Sequence, residues 1–80
     1  MGRTRPRPRL PEGASLNDPM LGRHVEIRSV NGMAYSGVVD TIRDGGELGE
    51  LFELGSRQDP RYRRLVYVVD RLVQIRHLDV

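Results

Sequence analysis

Eighty residues allow one domain, whose core can bury only roughly 60% of the surface an unfolded chain exposes. The absence of cysteine removes disulfide frameworks, thiolate metal sites and cysteine nucleophiles, and no apolar run approaches the roughly 18 residues of a membrane span. All thirteen basic residues behind the formal net charge of +2 are arginine, a side chain whose planar fork suits phosphate but which biased genomic composition also favours.

The first segment, residues 1–13, alternates arginine with proline. Proline lacks the amide donor and restricts its predecessor, so this stretch is expected to be a disordered or polyproline arm outside the domain at 14–80. Arg5, Arg7 and Arg9 make it a candidate electrostatic tether for nucleic acid. The plainer role is a solvated tail that aids solubility. From Ala14 onward nine arginines face ten acids, so the high isoelectric point belongs to the arm more than to the domain. The basic N-terminus carries no apolar segment of a secretory signal, and the expected location is cytoplasmic.

Ala14 to Gly22 offers Ser15, Asn17 and Asp18 as caps and Pro19 as a first helical residue, which predicts a single helical turn closed by Gly22. Met20 and Leu21 would then cover one end of the core. His24 to Ile42 follows, two β-prone runs flanking Asn31-Gly32, and it reads as a hairpin with a type I′ turn. Val25 and Ile27 alternate with Glu26 and Arg28, and Gly37 stands where a long second strand would bend sharply or let another backbone approach closely. A bent strand that serves two halves of a sheet is how a very small barrel closes.

Arg43 to Gly46 is a turn by composition. Leu48 to Leu54 fits either a short helix or a strand; Gly46, Gly49 and Gly55 weigh against the helix, so a third strand is expected. Gly55 to Pro60 reads as a loop, Tyr62 to Val69 as a fourth strand, and Leu72 to Leu78, after a break at Asp70-Arg71, as a fifth. The expected fold class is therefore all-β, a five-stranded curled sheet closing into a small barrel behind one helical turn.

Leu21-Gly22-x-x-Val25-x-Ile27, followed by Asn31-Gly32-x-x-Tyr35-x-Gly37-x-Val39, resembles the first motif of the Sm-like family, with Leu65 to Ile75 in place of its second. The resemblance implies a five-stranded SH3-like or Sm-like barrel, non-catalytic and RNA-associated, that can assemble into rings. Two loops depart from it. Arg43 to Glu47 has an Asp but no Asn, and Val69 to Leu72 has an arginine but no glycine, so the family's RNA pocket is not carried over residue by residue. The ending Asp70 to Asp79 is similar to the last strand of the Rof-like antiterminators, which bind the termination factor Rho. That likeness implies a protein partner instead.

The candidate nucleic-acid residues are the cluster Arg57, Arg61, Tyr62, Arg63 and Arg64, together with Arg43, Arg71 and Tyr35 and the arm arginines. An aromatic among guanidiniums can stack a base while its neighbours contact phosphate. Each of these arginines can also be a solvated side chain whose stem lies on apolar surface. The competing interaction is strand addition at an exposed edge through Val66, Val68, Val73 and Ile75, either to a second copy or to another protein. His24 and His77 lie outside any ligand-spaced motif, and no serine has a nucleophile-elbow context. Neither an enzyme nor a cofactor is expected.

Overall fold

A computed structural model describes residues 17–79; the arm at 1–13, with Arg5, Arg7 and Arg9, lies outside the described residues. Five strands form one antiparallel sheet: β1 (His24–Arg28), β2 (Ala34–Asp44), β3 (Glu50–Gly55), β4 (Arg63–Val68) and β5 (Ile75–His77). Their order is β4-β3-β2-β1-β5. The all-β expectation holds, and β2 is the hub. Its first half pairs with β1 and its second with β3, and Val38 lies opposite both His24 and Gly55.

The register explains how β2 bends. Val39 and Ile42 are both buried although three residues apart, a spacing that puts them on opposite faces of a regular strand. The pairing shifts between Val39 and Thr41, so Asp40 is an extra, exposed residue that returns Ile42 to the inner face. Gly37 serves close approach. A Cβ there would lie 2.8 Å from the Gly55 carbonyl oxygen and 2.9 Å from the Leu54 Cβ.

The inner face gathers Val25 and Ile27 from β1, Val39 and Ile42 from β2, Phe52 and Leu54 from β3, and Val66 and Val68 from β4, with Met20 from the segment before β1. Each such side chain contributes roughly 1.5–3 kcal/mol on leaving water. The sheet curls until the end of β1 reaches β4, where the Val30 N–H donates to the Tyr67 carbonyl (3.2 Å) and the Ser29 hydroxyl to the same oxygen (3.3 Å). No strand ladder forms there, and the sheet is not closed.

Several local expectations are corrected. The segment at Pro19 is a run of hydrogen-bonded turns, from Leu21 N–H to the Asp18 carbonyl and from Arg23 N–H to the Met20 carbonyl, not a helix. Gly22, at φ +80°, turns the chain so that its N–H bonds Val39 of β2 instead. The Asn31-Gly32 turn is not type I′, because among the described residues only glycines take a positive φ, and Asn31 does not. Gly32 N–H instead closes onto the Ser29 carbonyl, and Ser29 N–H pairs with the Met33 carbonyl across a longer loop. Leu48 ends a 3₁₀ turn (Gly46–Leu48), and only Glu50–Gly55 is strand.

The final strand is shorter than expected. Asp70 accepts the Leu72 N–H through its side chain and caps a four-residue helix, α1 (Arg71–Gln74), ahead of β5. Val66 and Val68 point into the core at 1% and 0% exposure, so their side chains cannot face a partner. Val73 lies exposed on α1 rather than on a strand, and Ile75 packs against the core from β5. No helix among the described residues is long and apolar enough to cross a membrane.

Candidate functional site

The loop after β3 builds itself locally. The Ser56 hydroxyl accepts the N–H groups of Gln58 (3.1 Å) and Asp59 (3.2 Å), and Asp59 in turn accepts the Arg61 N–H (2.9 Å). Tyr62 N–H then donates to the Asp59 carbonyl. These bonds fix the loop over the middle of β2 and open a groove of about 410 Å³. Gly37 and Gly55 help line it, with Ser36, Val38 and His24 from the sheet and Arg57, Gln58 and Tyr62 from the loop. A shallower depression of about 280 Å³ adjoins it across Val38, Gly55 and Arg57, and reaches Asp40 and Arg63.

The side chains differ in how free they are. Tyr62 packs partly against the core, and its hydroxyl donates to the Ser36 carbonyl (3.4 Å). Arg57 reaches the Gly22 carbonyl (3.4 Å) and stands 3.8 Å from Asp79. Arg63 donates to the Tyr62 carbonyl (2.8 Å) and lies 3.5 Å from Asp40, whose carboxylate occupies the space a side chain on Gly55 would need. Arg61 is exposed, with no ion pair among the described residues. Arg64 lies over the Tyr35 ring, 5.0 Å from its centroid, so one face of that aromatic is already covered.

The opposite end of the sheet has another character. Arg71 donates from Nε to Glu50 Oε1 (2.8 Å), from its second terminal nitrogen to Glu50 Oε2, and from Nη1 to both Asp18 oxygens (2.8 and 3.0 Å). Its guanidinium also stands 5.7 Å from the centre of the Phe52 ring. The Glu50 hydrogen bonds, ahead of those to Asp18, raise its pKa further above the ordinary arginine value. This residue is a structural clasp between the N-terminal turn, β3 and α1. Arg43 lies half-buried on β2 opposite Leu51, away from the groove, with Nε buried and unpartnered. Asp44 at the end of β2, Glu47 in the 3₁₀ turn and Asp70 at the cap of α1 make this end acidic.

Of the residues expected to contact nucleic acid, the fold therefore brings Arg57 and Tyr62 into one groove, with Arg63 bordering it and Arg61 on the same loop. It separates Arg43 and Arg71 from them. His24, Ser36 and Gln58 were missed. Only His24 carried a signal, as an outward-facing residue at a strand start; the others depend on the loop folding back. No family model, curated protein or solved structure matches the chain.

Proposed function

We propose that the protein is a non-catalytic, RNA-associated binding module that holds single-stranded RNA in the groove beside the β3–β4 loop. The observation that carries this reading is the convergence of Tyr62, Arg57 and Arg63 on one concave surface, at the end away from the acidic loops. The volume falls within the range of small-ligand sites and suits about one nucleotide at a time. Phosphate neutralisation by arginines gives sequence-independent, salt-sensitive affinity, and a base stacked on Tyr62 adds roughly 1–3 kcal/mol. Tyr62→Leu keeps the apolar packing and removes the aromatic face. It is expected to weaken binding of a labelled oligouridylate by about fivefold or more. Unchanged affinity would remove Tyr62 from the site.

The bent β2, the strand order and the meeting of β1 with β4 support a further assignment, to the small Sm-like type of barrel in an open form. The binding end differs from that family's. Its RNA loops correspond here to Arg43–Glu47 and Val69–Leu72, where Arg71 is engaged by Glu50 and Asp18.

A second reading, a protein-interaction module, draws on the two outer strands. Among the described residues β4 pairs only with β3 and β5 only with β1, while Leu65, Val69, Leu72 and Val73 are 56–90% exposed. In this reading a strand from a second copy adds to β4 or β5. Sedimentation of the full chain tests it: self-association that Leu65→Asp on β4 with Val69→Asp just after it abolishes favours this reading, and a monomer at all concentrations removes it.

A further inference from the structure

The segment after β5 returns over the start of β1. Leu78 N–H donates to the His24 carbonyl (2.8 Å), and the Asp79 carboxylate accepts the His24 N–H (3.2 Å) while standing 3.8 Å from Arg57 Nη2. Both His24 and Arg57 line the groove, so this carboxylate lies at its lip. The His24 amide above all, then Asp79's own amide and the charges of Arg23 and Arg57, holds the Asp79 carboxyl below its ordinary range. The backbone donor and the guanidinium thus converge on one anionic oxygen. A phosphate oxygen makes the same demands as a carboxylate oxygen, accepting charge-assisted bonds from amide and guanidinium donors. Arg57 engages only Nη2 among the described residues, which leaves the rest of its fork for a larger anion.

We propose that the His24 amide and Arg57 form a phosphate site at the lip of the groove, and that Asp79 is its intramolecular competitor, displaced by a phosphate of the bound strand. This rests on the strand-binding reading above. Asp79 then acts as a threshold. A ligand must offer enough further contact, a stacked base or a second phosphate, to exchange one anion for another. Isolated anions are disfavoured and strands are retained.

Asp79→Asn keeps an acceptor for the His24 N–H and removes the competing charge. The experiment titrates a labelled oligouridylate against the full chain, Asp79→Asn, Asp79→Asn with Arg57→Gln, and Glu47→Gln. The last makes the same charge change at the acidic end. In parallel, inorganic phosphate is added while the His24 amide is followed by NMR. If Asp79 fills the site most of the time, its neutralisation tightens binding by about three- to tenfold. Glu47→Gln is expected to gain less than about twofold, because screening weakens distant surface charges. The gain disappears when Arg57 is also replaced, and phosphate moves the His24 amide at lower concentration in Asp79→Asn than in the full chain.

Equal gains from Asp79→Asn and Glu47→Gln, or none from Asp79→Asn while the full chain binds RNA, would overturn the competitor and leave the RNA reading standing. A phosphate response at His24 without oligonucleotide binding would uphold the anion site and its competitor and overturn the RNA reading. Silence in both titrations would overturn the two together. The phosphate titration of the unaltered chain keeps the proposal open to refutation even if a variant fails to fold.

Discussion

Arg71 shows how the same residue type does different work at the two ends of the sheet. Its guanidinium faces two carboxylates, those of Glu50 and Asp18, and its side chain is only 28% exposed. Truncation would leave those carboxylates facing each other with the cation gone. Arg71→Ala is expected to cost about 1–2 kcal/mol of stability, less than a fully buried pair because the site is partly wet. RNA affinity should stay within about twofold, as measured by chemical denaturation and anisotropy on the same variant. A larger loss of affinity would return Arg71 to the binding surface.

Asp79 carries a pH signature of its own. Its carboxyl titrates below the ordinary value near 4 because the folded chain favours the anion. The contribution is therefore complete above that ordinary value and is lost as pH falls through the lower folded one. The difference in melting temperature between the full chain and Asp79→Asn should be constant from pH 7 to pH 5 and vanish in stronger acid. A difference that changed near neutrality would implicate another group.

Among the elements, β2 decides the architecture, and one residue decides β2. Asp40 is the extra residue, and the bulge that absorbs it keeps Val39 and Ile42 on the same face. Deleting it leaves Val39 and Ile42 two apart, so a regular strand keeps both inside but loses the added bend. The deletion is expected to lower stability by about 1–3 kcal/mol while unfolding stays cooperative. Asp40→Ala should change stability by at most about 1 kcal/mol, since only an exposed pair with Arg63 is lost. A deletion variant as stable as the full chain would show that the bend at this bulge does not support the core.

The same strand shows what the sequence could disclose. Alternation at Val25 and Ile27 and the glycine at 37 identified the hairpin and its close approach. The bulge was hidden, because Val38-Val39-Asp40-Thr41-Ile42 fits either face until its partners are known. Asn31-Gly32 marked the turn but not its type, which the Ser29 and Met33 pairing sets from outside the dipeptide. Leu72 and Val73 looked like strand because they are apolar, yet the cap supplied by Asp70 turns them into one exposed helical turn. In the binding region, Arg57 and Tyr62 were visible as an aromatic among arginines. Their meeting with His24 and Ser36 depends on long-range folding that no local spacing encodes.

At the scale of the whole molecule, the two ends of the sheet differ in charge. Arg57, Arg61 and Arg63 at the β3–β4 end stand with Asp40, Asp59 and Asp79, while Asp44, Glu47, Glu50 and Asp70 outnumber Arg71 at the other. The acidic end repels a polyanion and turns it toward the groove during approach. The core that supports this surface is small. Phe52, at 0% exposure, is the largest side chain within it, and Phe52→Ala is expected to cost about 3–5 kcal/mol, enough to unfold a domain of this size near body temperature. The most direct measurement is fluorescence anisotropy of labelled single-stranded RNA at two salt concentrations, comparing the full chain with Arg57→Ala/Arg61→Ala/Arg63→Ala. The groove reading predicts an affinity loss of about tenfold or more and a salt slope shallower by about 2, the change expected when about three single-strand phosphates are released. Affinity and slope unchanged in a folded triple variant would contradict it.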